Sequence, residues 1–211
     1  MKFEAITWER LTEAVAGHVD AAEPGDGSAW LKVGVDGAPA APTGETAGRI
    51  ADALRLRGRS VLVVGTGGFL RPASLRFEYG KQDPDAYYSG WFDTGALWRE
   101  VFRPLEAGGT GRVLPDLWDP VKDRATRSPY TELPPGGVLV LHGPFLQGHW
   151  FPFDLTVHLR LSRGALARRT EERWTLPAFQ RYEDEAAPAE AADVVVRVDD
   201  PRHPAWSGLR G

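Results

Sequence analysis

The chain has no cysteine, one methionine and only four lysines in 211 residues. Without cysteine there is no disulfide framework, no thiolate nucleophile and no cysteine-ligated zinc or iron–sulfur site. No apolar run approaches the roughly 20 residues that cross a bilayer, and Met1 is not followed by a basic-then-apolar leader. The scarcity of lysine leaves 21 arginines, a bias that a GC-rich genome produces. Against 29 acidic residues the formal net charge is −4, which argues against nucleic-acid binding through bulk basicity. The abundant residues are 24 glycines and 17 prolines, spread without a period. That excludes collagen and implies many loops. A chain of this size buries roughly 70% of its unfolded surface as one domain. The expectation is a soluble, cytoplasmic protein with a small-molecule ligand and neither membrane nor nucleic acid as partner; oligomeric state is left open.

Apolar spacing predicts alternating helices and strands. Trp8, Leu11, Val15, Val19 and Ala22 recur at steps of three and four, with Thr7 placed to cap a helix that ends at Pro24-Gly25. Ala47, Ile50, Ala51 and Leu54 share a second helical face, and Gly58 stands where a C-terminal cap belongs. Residues 30–35, 60–65, 137–141, 155–161 and 193–198 read as strands, and Asp93 caps a predicted helix through Leu97, Val101 and Leu105. An Arg-rich helix follows Ser162 and runs to about Trp174, with a second ending near Ala187. Near-continuous β-branched runs between helices predict an α/β fold: three layers, with a mostly parallel sheet of about five strands flanked by helices. A single domain, 1–211, is expected, with an N-terminal helix in 1–27 and an Arg-rich helical region at about 163–187.

Ligands in such sheets sit at the carboxyl ends of strands, where a loop leads into a helix. Val33 to Leu54 (VGVDGAPAAPTGETAGRIADAL) has that setting, the one in which GxxxxGK[ST] cradles phosphates. The motif itself is missing. One register gives Gly37 then Pro42-Thr43-Gly44, without lysine and with no backbone donor at Pro42. A register two residues longer gives Gly44-Glu45-Thr46, with a carboxylate facing any phosphate.

Seven segments, in order, resemble the uridine kinase branch of the P-loop nucleoside kinases over nearly the whole chain. They are VGVDG (33–37), GGFLRP (67–72), DPDAY (83–87), LPDLWDPVKDR (114–124), VLVLHGP (138–144), ALARRTEERW (165–174) and ADVVVRVDDPRHP (192–204). The resemblance implies a P-loop NTPase fold, with ATP and Mg as cofactors and a nucleoside or nucleotide-like ligand. It implies phosphate binding by Gly37, Gly44, Thr46 and a lid of Arg168, Arg169 and Arg173. It implies substrate contacts by Phe69, Arg71, Tyr87, Trp118, Asp119 and Arg124. The departures fall on the chemistry: Gly67 and Gly68 stand at the family's general base, Thr43 or Glu45 at its lysine, and His142 at its Walker B acid. Phosphoryl transfer depends on positioning and charge neutralisation, so three such losses cost many orders of magnitude in rate.

Other residues admit plainer readings. The arginines at 168, 169 and 173 could equally form a solvated face with Glu171 and Glu172. The aromatics from Phe69 to Trp98 could stack on a ligand or pack a long loop. His142, His149, His158 and Asp154 have no compact ligand spacing, so no metal site is assigned. No Gly-x-Ser-x-Gly elbow marks a serine hydrolase. The expectation is a pseudokinase or repurposed binding protein. The alternative is an active ATP-dependent kinase of uridine or another hydroxylated substrate, with Asp93 as candidate base. A third possibility is a different reaction using Asp36, Glu45, Asp93, Asp119 and His142.

Overall fold

Apolar runs too short and too β-branched to be helices lie side by side. In the computed structural model, which describes residues 2–209, the sheet strands are Glu4–Ala5 (β1), Leu31–Asp36 (β2), Val61–Gly65 (β3), Val138–Gly143 (β4), Leu155–Arg160 (β5), Val194–Arg197 (β6) and Ala205–Gly208 (β7). Their order is β1–β7–β6–β5–β2–β4–β3. The five strands from β6 to β3 pair in parallel, as expected. The sequence reading missed the antiparallel edge strands β7 and β1, because two- and four-residue segments of mixed polarity carry no period.

Alternation along the strands feeds two cores. Leu31, Val33 and Val35 of β2, with Val157 and Leu159 of β5, face the helices Trp8–Ala21 (α1) and Thr43–Leu56 (α2). Those helices contribute Leu11, Val15, Ile50 and Leu54. Leu139 and Leu141 of β4 point the opposite way, onto Leu97, Val101, Phe102 and Leu105. Thr7 caps α1, its hydroxyl accepting from Arg10 N at 3.3 Å. Three short helices, Pro84–Gly90 (α3), Arg163–Arg169 (α4) and Leu176–Ala186 (α5), build the rim of the crevice.

Two helices differ from expectation. The segment after Asp93 is continuous but irregular: an α turn at Thr94–Leu97, a π segment at Trp98–Phe102 and a 3-10 turn at Arg103–Leu105. The Arg-rich helix stops at Arg169 rather than near Trp174, because Thr170 takes an extended backbone; a 3-10 turn at Arg173–Thr175 leads into α5.

On β2, Lys32 is completely buried. Its Nζ donates to Asp26 Oδ2 at 3.0 Å, Ser28 Oγ at 3.2 Å and the Trp30 carbonyl at 3.2 Å, and Asp154 Oδ2 lies 3.9 Å away. Asp154 also accepts from Lys32 N at 2.7 Å and Gly25 N at 3.0 Å, so it pins the loop before β2 to the start of β5. Asp154→Ala leaves Lys32 paired with Asp26 but removes the acceptor of the Lys32 and Gly25 amides, and a buried donor left unpaired costs about 1–3 kcal/mol. The variant is therefore expected to lower unfolding free energy by about 2 kcal/mol in urea titration with an unchanged m-value. A loss below about 1 kcal/mol would show that Asp154 contributes little to holding Lys32.

Candidate functional site: the crevice at the end of β2

β2 lies between β4 and β5, so the strand order reverses there and its carboxyl end is the expected ligand position. The following loop, 37–42, enters α2 at Thr43. Thr43 thus opens the helix directly after the loop, and Thr46 is buried one turn further on. In the shorter register, which puts Thr43 in place of the lysine and Gly44 in place of the hydroxyl, the loop ends where the helix begins.

A phosphate cradle needs free backbone N–H groups. Pro39 and Pro42 have none, and three others are already used. Gly37 N donates to the Gly143 carbonyl at 3.2 Å, Ala41 N to Ala38 O at 2.8 Å and Thr43 N to Ala41 O at 2.8 Å. Glu45, in the first turn of α2, pairs with Arg49 at 2.8 Å and supplies the negative charge that a helix N-terminus favours.

His142, at the end of β4, sits beside this loop. A Cβ built on Gly44 would lie 3.2 Å from its ring, and one on Gly65 would lie 3.0 Å from it. The imidazole therefore occupies the space that side chains at those two positions would need. Burial holds its pKa below the usual histidine value, so it is neutral at pH 7. Gly143, next in the chain, has φ near +150°, and a Cβ there would strike the Thr66 hydroxyl. The residues present do not fit the Mg·ATP site that the resemblance implies: no lysine, no hydroxyl at Gly44, and a neutral ring where a metal-side acid is expected.

The opposite face of the sheet holds a buried polar centre. Asp36 and His158 are register partners on β2 and β5, and both are buried. Asp36 Oδ2 lies 2.6 Å from His158 Nδ1 and accepts from the Tyr182 hydroxyl at 2.9 Å, while Oδ1 accepts from Leu146 N at 2.9 Å. Burial and the adjacent carboxylate push the Tyr182 hydroxyl pKa well up, so it stays protonated and donates.

The lid arginines diverge. Arg169 donates to the Val198 carbonyl at 2.9 Å and to that of Asp199, which ties α4 to the end of β6. Arg168 and Arg173 are exposed. A cavity of about 350 Å³ brings Arg169 beside Pro39 and Ala40 of the loop, but Glu171 and Glu172 line it too.

The proposed substrate residues also divide. Phe69 is fully buried under β3 and β4, whereas Tyr87 is buried in a separate aromatic cluster. In that cluster the Tyr87 ring lies 5.0 Å from Trp91, 5.4 Å from Phe145 and 5.6 Å from Trp174. Arg71 and Arg124 are exposed. Asp119 accepts from Val121 N and Lys122 N at 3.0 and 3.1 Å, which closes the turn after Trp118; the Trp118 indole donates to Asp123 at 3.1 Å. Asp93 caps the next helical turn through Ala96 N at 2.8 Å. Among the described residues, no three histidine or acidic side chains converge on a metal position. His149 packs against Phe151, and Asp154 belongs to Lys32.

No family model and no curated protein matches the chain. Solved structures do. A protein described as a possible uridine kinase from Bacillus stearothermophilus superposes with a TM-score of 0.72 at 23% identity, covering 88% of this chain and 97% of its own. The fold is that of the P-loop kinases. A protein assigned as a fructose transport system kinase from Silicibacter sp. TM1040 aligns at TM-score 0.59 and 22% identity over 89% and 95%. D-glycerate 3-kinase from Cryptococcus neoformans aligns at 0.50 and 14% over 85% and 78%. On this P-loop kinase fold, His158 and Tyr182 are the polar residues that the sequence reading did not assign to the crevice. The available signal was a histidine between Val157 and Leu159 in the strand LTVHLRL.

Desolvation lowers the pKa of His142 and of His149. The unfolded chain therefore takes up protons first as pH falls, so stability is full above about pH 6.5 and declines below it. Thermal unfolding is expected to show a falling Tm between about pH 7.5 and pH 5.5, and His142→Gln should shrink that fall. An unchanged fall in the variant would remove His142 as its source.

Proposed function

We propose that the chain is a uridine kinase-like P-loop protein that has given up phosphoryl transfer and works as a small-molecule-binding module. The observation that carries this reading is the His142 ring against Gly44 and Gly65, beside a loop with two prolines and no lysine. In that place a kinase must neutralise several negative charges within a few ångströms, and nearly all its catalysis comes from doing so. Here the nearest ionised group in the first turn of α2 is the Glu45 carboxylate. The order of the seven sequence segments, together with the fold, supports descent from nucleoside kinases. The aromatic cluster of Tyr87, Phe145, Phe179 and Tyr182 packs on Ala38 of the loop and gives the crevice an apolar floor. Of the arginines on and just beyond α4, Arg169 is the one placed beside the loop, and Arg168 and Arg173 could join it around an anion.

Calorimetric titration with Mg·ATP, with and without uridine, is expected to give no heat at millimolar nucleotide. Combining Pro42→Gly, Thr43→Lys, Gly44→Ser and His142→Asp should restore binding with a Kd below about 100 μM. Tight binding by the wild-type chain, with ADP formed in the presence of uridine, would overturn the proposal. Loss of that turnover in Asp93→Asn would then identify the base.

A further inference from the structure

Beyond that reading, a second cavity on the opposite face of the sheet has the composition of a built ligand site. It encloses about 430 Å³ between β5, α4 and α5, within the range of small-molecule pockets. Leu161, Leu166, Leu176 and Phe179 give it apolar walls, and His158 and Tyr182 form part of its lining. His158 is 4% exposed, and its Nε2 has no hydrogen-bond partner. A buried polar atom without a partner is costly in any fold, and a ligand that supplies one recovers the cost.

The other side of the ring is already engaged. Asp36 accepts from Leu146 N and the Tyr182 hydroxyl, and its Oδ2 lies 2.6 Å from His158 Nδ1. Nε2 is then the ring nitrogen left for a ligand, and a hydroxyl, which both donates and accepts, can pair with it. Arg160 follows two residues along β5 on the same face, about 7 Å further along the strand, and lines the cavity with Arg163 of α4. Neither arginine makes an ion pair among the described residues, and both are exposed. Glu183 lines the facing side on α5, so the two arginines and one carboxylate leave a single net positive charge. That matches a singly charged carboxylate better than a doubly charged phosphate.

We propose that this cavity binds a small, largely apolar carboxylic acid bearing a hydroxyl, with the hydroxyl hydrogen-bonded to His158 Nε2 and the carboxylate held by Arg160 and Arg163. Of the loop after β2 only Ala38 lines it, so binding here stands apart from the Mg·ATP result, and either can fail without the other.

The test uses three probes on the full chain, read by calorimetry or ligand-observed NMR: 4-hydroxycinnamate, cinnamate and methyl 4-hydroxycinnamate. The hydroxy acid is expected to bind tightest, with each of the others weaker by about tenfold. Arg160→Ala should abolish the preference for acid over ester, and His158→Gln the preference for hydroxylated over plain acid. Should His158→Gln fail to fold, the ranking of the probes on the wild-type chain still decides. Equal binding of cinnamate and 4-hydroxycinnamate, or no binding of any probe at millimolar concentration, would overturn the proposal.

Discussion

The Asp36 carboxylate is where four separate parts of the chain meet. It ends β2, and its oxygens engage Leu146 after β4, His158 on β5 and Tyr182 on α5. An ionised carboxylate removed from water is tolerated only where donors surround it. The strand register, the loop after β4 and the seat of α5 are thereby coupled: a shift in any of them would leave the charge uncompensated. Tyr182 extends the coupling by accepting from Gln147 N at 2.9 Å. The crevice rim is thus positioned by one buried charge as much as by its aromatic packing.

The two sides of β2 differ in what surrounds the strand end. On the α2 face lie Pro42, Thr43, Gly44 and His142. Gly37 N is spent on β4 and Ala41 N within the loop, and the histidine ring fills the space between two glycines. Ring and glycines are sterically complementary, since a larger residue at Gly44 or Gly65 would crowd the histidine. On the opposite face His158 Nε2 has no hydrogen-bond partner, and His158 lines a cavity. Phe145 lies parallel to Phe179 at 4.9 Å and edge-on to Tyr182 at 5.2 Å, so the same aromatic cluster separates the two regions.

Much of this architecture was legible from local pattern. Thr7 and Ser162 cap their helices, and Gly58 takes φ near +84° just beyond α2, because capping chemistry is written in neighbouring residues. The parallel core was legible because strands covered on both faces must be apolar throughout. The edge strands β1 and β7 were not, being too short to show a period, and the π segment after Leu97 obeys no simple spacing rule. In the crevice, Asp36 and His142 were visible as candidates from their positions at strand ends. The partnership of Asp36 with His158 was invisible, because it depends on which strands become neighbours and in what register. Phe69, Tyr87 and Arg169 bear residue types suited to ligands, yet their side chains are held chiefly by the protein itself.

The strand order also sets how the chain must reach its native state. β2 pairs with β4 and β5 and with no strand adjacent to it in sequence, and Asp36 meets His158 and Tyr182 across separations of 122 and 146 residues. Loop closure over such distances has to be completed before the central pairings repay it, which slows folding relative to chains rich in local contacts. Until the second half of the chain arrives, β2 is an apolar strand with a charged tip and neither neighbour in place. Partly folded chains should therefore expose their most aggregation-prone strand first and cover it last.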